Sequence, residues 1–187
     1  MHKIALIYGS DREGRFCDVV AGWALSELQL LPDVETDVVD PVRLELPRRS
    51  GANWAAVLRL RERPAAADAF LVVTPEYNHS FPACLKALVD AANEAWHAKP
   101  VAFVSYGGIS GGPRAVEQLR LVYAELHAVT LRDSVTFANA WDAFADGRPV
   151  RQEAATRAFR HMLARLMWWS AALKAARLRE PYAAAAA

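Results

Sequence analysis

Three short stretches of this chain are apolar at every position: Ile4-Ala5-Leu6-Ile7-Tyr8, Ala69-Phe70-Leu71-Val72-Val73 and Val101-Ala102-Phe103-Val104. Runs of this kind read as strands covered on both faces, as when helices lie above and below a parallel sheet. Val34–Val39 and Thr130–Thr136 alternate more, which predicts a second and a fifth strand nearer the sheet edges. Three interior strands and two edge strands predict a five-stranded, doubly wound parallel sheet of order 2-1-3-4-5.

Between these runs the apolar period becomes helical. Phe16, Val20, Trp23, Ala24 and Leu28 form one stripe; Leu85, Leu88, Val89, Ala92 and Trp96 form a second. Val116, Leu119, Val122, Tyr123 and Leu126 form a third, and Ala155, Phe159, Met162, Leu163, Leu166, Trp169 and Leu173 mark a last helix over about 152–177. Trp169 is expected in the core and Trp168 on a surface that meets a partner. A short helix is expected at Trp54–Arg61 within the less regular segment from Pro41 to Pro64. Alternation of strand and helix gives an α/β, three-layer fold. At 187 residues the chain fits a single domain over residues 1–182, with 183–187 a tail.

Composition narrows the function classes. Twenty-two Lys and Arg face 21 Asp and Glu, a net charge of +1, so no overall field recruits nucleic acid or an anionic membrane. The five apolar residues after Met1-His2-Lys3 are too few for a secretory leader or a membrane span, and a cytoplasmic protein is expected. Cys17 and Cys84 make no zinc pattern with the five histidines and read as small packing residues.

In such a sheet ligands bind beyond the carboxyl ends of the strands, where strand order reverses. That directs attention to the loops after Tyr8, Val73 and Val104. The first, Gly9-Ser10-Asp11-Arg12-Glu13-Gly14-Arg15, leads into a helix N-terminus, where free N–H groups favour an anion. Ser10, Arg12 and Arg15 suit a terminal phosphate; equally, Ser10 and Glu13 have the spacing of a capping box. In the second, Pro75-Glu76-Tyr77-Asn78-His79-Ser80-Phe81-Pro82, an ordinary turn with Ser80 as cap explains Ser80 and Pro82. It leaves Glu76, Tyr77 and Asn78 for a flat heteroaromatic ligand. The third, Ser105-Tyr106-Gly107-Gly108-Ile109-Ser110-Gly111-Gly112-Pro113, gathers four of nine glycines, which lets backbone approach a ligand closely.

Together these three loops resemble the signatures of the NAD(P)H-dependent FMN reductases, a flavodoxin-like family that includes quinone, chromate and azo-dye reductases. Lys86, Lys99-Pro100 and Arg114–Arg120 also resemble that family, and the likeness covers roughly Lys3 to Trp141. It implies a flavodoxin-like FMN-binding domain with the cofactor held by Gly9, Ser10, Arg12, Arg15, Pro75, Glu76, Tyr77, Asn78, Ser105, Tyr106, Gly107 and Gly108. Ser10, Arg12 and Arg15 would take the phosphate. Pro75–Asn78 would border the isoalloxazine ring, and Tyr106, Gly107 and Gly108 would support it. Asp11 and His79 depart from the family pattern: a carboxylate beside a phosphate must point away, and His79 replaces the commoner glycine.

The implied activity is ping-pong hydride transfer from NADH or NADPH, through FMN, to a small-molecule acceptor such as FMN, a quinone, an azo dye or a metal oxyanion. Backbone N–H groups would steady the charge that develops, and no protein acid, base or nucleophile is required. A homodimer or homotetramer is implied as well. The competing reading is an FMN-binding electron-transfer or redox-sensing protein; it predicts an acidic partner-facing surface, against which the balanced charge argues.

Overall fold

The computed structural model describes residues 1–44, 62 and 64–186. The helix expected at Trp54–Arg61 falls outside the described residues. Strands β1 (His2–Tyr8), β2 (Val34–Val39), β3 (Ala69–Pro75), β4 (Pro100–Tyr106) and β5 (Val129–Phe137) form one sheet of order 2-1-3-4-5. All four pairings are parallel. Helices α1 (Cys17–Gln29), α2 (Ala83–Ala92), α3 (Pro113–Glu125) and α5 (Gln152–Arg179) cover its faces. A single helical turn, α4 (Ala140–Ala143), and a two-residue hairpin of β6 (Phe144–Ala145) and β7 (Arg148–Pro149) join β5 to α5.

The all-apolar strands follow from this layering. Side chains alternate across a strand, so Ile4 and Leu6 join Leu71, Val73 and Val104 under α1 and α5. Ala5 and Ile7 join Phe70, Val72, Val101 and Phe103 under α2 and α3. Every residue of β3 and β4 is buried, whereas β2 and β5 at the edges are only partly so. A register shift between Val101 and Phe103 on β4 lets β5 bend along its neighbour.

Helix boundaries respond to local chemistry. The second stripe runs through Trp96, but α2 ends at Ala92 and a tighter 3-10 turn, Asn93–Trp96, carries the chain on. There Trp96 is fully buried and its indole N–H donates to the Val89 carbonyl at 2.9 Å. Pro113 starts α3 at its first position, as the missing N–H permits. Gly112 precedes it at φ +96°, where a Cβ would sit 2.7 Å from the Ser105 Cβ, so only glycine fits.

On α5 the inward stripe runs Phe159, Met162, Leu163, Leu166 and Ser170 rather than through Trp169. Ser170 is buried, with its hydroxyl 2.9 Å from His2 Nδ1. Trp169 is therefore not in the core: it is 37% exposed and stacks edge-on against Trp168, itself 65% exposed. Residues 166 and 170 stand one turn apart on the same face, and that face continues through serine because the amino end of β1 supplies a polar partner.

The Tyr123 hydroxyl is buried among Trp96 and Phe103 with no hydrogen-bond partner among the described residues. An unpaired buried hydroxyl is destabilising. Tyr123→Phe is expected to leave the urea unfolding midpoint unchanged or to raise stability by up to about 1 kcal/mol.

Candidate functional site

The loops after β1, β3 and β4 emerge side by side at the switch point, because Tyr8 pairs with Val73 and Pro75 with Tyr106. They enclose a cavity of about 350 Å³. Arg12 to Phe16 form one wall, Pro75 to Tyr77 a second, and Tyr106 to Gly108 a third. Trp141, from α4, closes the rim.

The first loop keeps its full length before the helix begins. The cap of α1 is Phe16, with no side-chain cap bond, so Ser10 and Glu13 do not form a capping box. Ser10 is instead fully buried, its hydroxyl 3.3 Å from the Tyr77 phenol and accepting the Arg12 N–H at 3.4 Å. The N–H groups of Glu13 and Gly14 have no partner among the described residues. They are unspent donors at a helix entrance, the arrangement that receives an anion.

The two arginines of this loop do different things. Arg12 is exposed on the cavity wall, with no carboxylate partner among the described residues. Arg15, expected at a phosphate both from the loop's composition and from the family resemblance, turns inward. Its guanidinium meets both Asp40 oxygens, at 2.7 and 2.6 Å, and Asp18 at 2.8 Å. It also donates to the Ser10 carbonyl and lies 5.1 Å from the Tyr8 ring centroid. Both side chains of the Arg15–Asp40 pair are buried. Burial alone would raise the Asp40 pKa, but the Arg15 bonds, the Val42 N–H and nearby Arg43 outweigh it and hold the carboxyl below its ordinary value. The hydrogen bond to Asp40, working against burial, raises Arg15 above its own. Asp40 follows β2 directly and was not among the residues the loops pointed to; its place before Pro41, beside the carboxyl end of β1, is the signal that could have found it.

In the second loop, Tyr77 and Ser80 exchange both backbone hydrogen bonds, at 2.9 and 3.0 Å, around a two-residue turn. Asn78 and His79 occupy its tip at φ +49° and +70°, the conformation such turns require. Both are exposed, and neither lines the cavity. Ser80 is not the helix cap, a position held by Pro82; its hydroxyl donates to Gln118 Oε1 at 2.5 Å. The Glu76 carboxylate accepts from the Arg114 guanidinium at 3.0 Å and the Arg114 N–H at 3.3 Å. That fastens the loop to the positive end of α3.

The third loop is held from behind. Ser105 is buried and donates to the Gly111 carbonyl at 3.1 Å, and Gly107 N–H reaches the Phe137 carbonyl at 3.2 Å. The N–H groups of Asn139 and Ala140 donate back to the carbonyls of Gly108 and Gly107, which ties this loop to α4 and sets Trp141. Tyr106 is buried; burial, and then neighbouring Cys17, pushes its phenol up, so it stays protonated. The N–H groups of Glu76, Tyr77 and Gly107 are thus engaged within the protein, and those of Asn78 and Gly108 have no partner among the described residues. A Cβ on Gly108 would enter open space, whereas one on Gly9 would strike the Val73 carbonyl oxygen at 2.7 Å.

Of the twelve residues the sequence pointed to, Arg12, Arg15, Pro75, Glu76, Tyr77, Tyr106, Gly107 and Gly108 line the cavity. Gly9, Ser10 and Ser105 stand behind it, and Asn78 lies at the turn tip. Phe16 and Trp141 were missed. Their rings are 6.2 Å apart and Phe16 lies 6.0 Å from Tyr106, giving an aromatic wall. Trp141 follows β5, outside the loops that the switch-point argument selects. Asp11 lies off the cavity, near Cys84, whose thiol donates to the Gly9 carbonyl at 3.7 Å. Burial, then Asp11, pushes that thiol up to about 12, and burial pushes Cys17 up to about 11, so neither supplies a thiolate near neutral pH. Among the described residues no cluster of three or more His, Cys, Asp or Glu could hold a metal ion, and no helix is long and apolar enough to cross a membrane.

A family model described as NADPH-dependent FMN reductase matches residues 2–142. An NAD(P)H-dependent FMN reductase of Schizosaccharomyces pombe is 33% identical over 126 residues, 59% of this chain and 60% of that protein's length. A quinone reductase of Pseudomonas putida is 32% identical over 150 residues, 72% of this chain and 77% of its own. Among solved structures, the flavoenzyme NAD(P)H:(acceptor) oxidoreductase FerB of Paracoccus denitrificans superposes with a TM-score of 0.69 at 23% identity, covering 90% of this chain and 97% of that one. That likeness establishes a common fold.

Removing one partner of a buried ion pair strands the other charge, at a cost of roughly 3 kcal/mol. Asp40→Asn is expected to lose about that much stability at pH 7. Because the folded Asp40 pKa is depressed, its contribution is fully present above the unfolded value of about 4 and fades as pH falls through the folded value. Urea unfolding of both proteins between pH 7 and pH 3 should show the gap narrowing with acid.

Proposed function

The chain belongs to the NADPH-dependent FMN reductase family of oxidoreductases, and on that premise we propose that it carries FMN in the switch-point cavity and turns over NADH or NADPH against a small oxidised acceptor. The observation that carries this reading is the convergence of three loops on one cavity that offers, at one end, an arginine with no carboxylate partner among the described residues and, at the other, an aromatic wall. When bound, FMN supplies the redox chemistry, accepting a hydride from the nicotinamide and passing reducing equivalents to quinones, azo dyes, metal oxyanions or free flavin in ping-pong alternation.

The residues present fit that group. Arg12 and the N–H groups of Glu13 and Gly14 hold the phosphate, through charge-assisted bonds and the positive end of the loop. Arg15 keeps the loop in place through Asp40 rather than meeting the phosphate itself. Pro75 to Tyr77 and Tyr106 to Gly108 border the ring, with the Gly108 N–H free to donate to a ring-edge acceptor and no side chain at that position to obstruct it. Phe16 and Trp141 exclude water from the apolar side of the cavity. Tyr106, kept protonated, contributes shape and a fixed hydroxyl but no charge.

Exposed Trp141 at the cavity rim, and Trp168 on α5, support the homodimer or homotetramer typical of the family, since exposed tryptophan is enriched at interfaces. Residues 1–182 act as a single flavin-binding unit in this reading.

Two measurements test it. Anaerobic addition of NADPH or NADH to the FMN-loaded, desalted protein should bleach the visible flavin band, and a quinone should restore it; retained colour with no bleaching would sink the reductase reading. Arg12→Ala should weaken FMN by about 10- to 100-fold, the value of one or two charge-assisted bonds, and leave riboflavin nearly unchanged. Equal losses for both flavins would remove Arg12 from the phosphate.

A further inference from the structure

A second cavity, of about 560 Å³, opens at the opposite end of the sheet, beside the amino ends of the strands. Its apolar lining comes from Ala92 and Ala95 at the end of α2 and the following 3-10 turn, and from Ala65 and Tyr182. Its polar lining is cationic. Lys99, just before β4, is 7% exposed, and its ammonium donates to the carbonyls of Pro64 and Ala65 at 3.0 and 2.8 Å. Its other contact is the face of the Phe70 ring, 5.6 Å from the ammonium, and no carboxylate pairs with it among the described residues.

Arg177, on the last turn of α5, reaches the same cavity and donates to the Ala98 carbonyl. Its nearest carboxylate, Asp68, stands 3.8 Å away and is already held by Lys174 at 2.8 Å. His97 also lines the space, its ring stacked 5.0 Å from His127, whose Nδ1 lies 2.9 Å from the Tyr182 hydroxyl. Glu94 is the one carboxylate on the wall among the described residues. Burial, then the charge of Arg177, lowers Lys99 to about 8, with Asp68 opposing; burial lowers Arg177 as well. Like charges facing across a low-dielectric space repel, and an anion placed between them relieves both.

The geometry points to an anion-binding site at this end of the fold, suited to a small monocarboxylate with an apolar, preferably aromatic, body. The carboxylate lies between the Lys99 ammonium and the Arg177 guanidinium. The body lies against Ala92, Ala95 and the Tyr182 ring. A bare inorganic anion would leave that apolar lining unused, and the excess of cations rules out a metal ion. The site is separate from the switch-point cavity and does not depend on the reading of that cavity.

Benzoate is a suitable probe, with benzamide as its uncharged isostere, titrated calorimetrically into the FMN-saturated protein at pH 7. Benzoate should bind one to one, and benzamide at least about tenfold more weakly, as the loss of charge-assisted bonds implies. Lys99→Gln and Arg177→Gln each keep a donor side chain near the carbonyls now served. Each should weaken benzoate by about tenfold or more while leaving FMN affinity unchanged. Ala65→Trp, at an exposed position on the cavity wall, should block binding outright and decides the matter should either glutamine variant fail to fold. Benzoate affinity should also fall as pH rises through about 8, as Lys99 loses its proton. Absence of one-to-one binding, equal affinity for benzamide, or affinity untouched by Ala65→Trp would overturn the proposal.

Discussion

Burial of β1, β3 and β4 on both faces is the constraint from which the rest of the structure follows. A strand with no wet side can carry no chemistry along its length, because every polar side chain placed there would need a buried partner. Polar function is therefore driven to the two ends of the sheet, where backbone runs out of ladder and into loop. At the carboxyl end, parallel strands deliver three loops in register: Tyr8 beside Val73 and Pro75 beside Tyr106. The convergence of those loops is a consequence of strand pairing and needs no further device.

What keeps the loops from collapsing onto one another is a set of bonds directed away from the cavity. Arg15 is drawn back to Asp40, Glu76 across to Arg114, and Ser105 to the Gly111 carbonyl. Each uses a residue type that could have faced a ligand and spends it on position instead. Among the described residues, the groups left over on the cavity wall include the Arg12 guanidinium and the N–H groups of Glu13, Gly14 and Gly108. A site assembled in this way is preorganised, since the donors that remain need not be recruited from competing bonds when a ligand arrives.

The amino end of the sheet has the opposite character. There the carboxyl end of α5 returns to the strand starts, where Lys174 and Arg177 share the carboxylate of Asp68 and Lys99 lies within its field. Basic residues at a helix carboxyl terminus are ordinary; their convergence on a cavity with a second buried cation is not. The basic loading of the last helix reads from sequence as a solvated face, and most of its residues are that. Arg177 departs because the helix ends against the start of β4, a contact between residues far apart in the chain.

The sequence by itself determined the sheet, its strand order, the helices that cover it and the end at which three loops meet around a cavity. Those follow from apolar periodicity and glycine placement, which are local signals read within a few residues. It also named eight of the residues that line the cavity. Tertiary structure decided what local signals cannot carry: which arginine of Arg12 and Arg15 is drawn back to Asp40, that Ser10 is a support and not a cap, and that Trp141 from beyond β5 closes the rim. It likewise decided that position 170 and not 169 faces the core. In each case the deciding partner, whether Asp40, Tyr77, Gly108 or His2, lies 25 or more residues away in the chain. A side chain's role is settled by the partner that reaches it first in space, and that is a property of the fold.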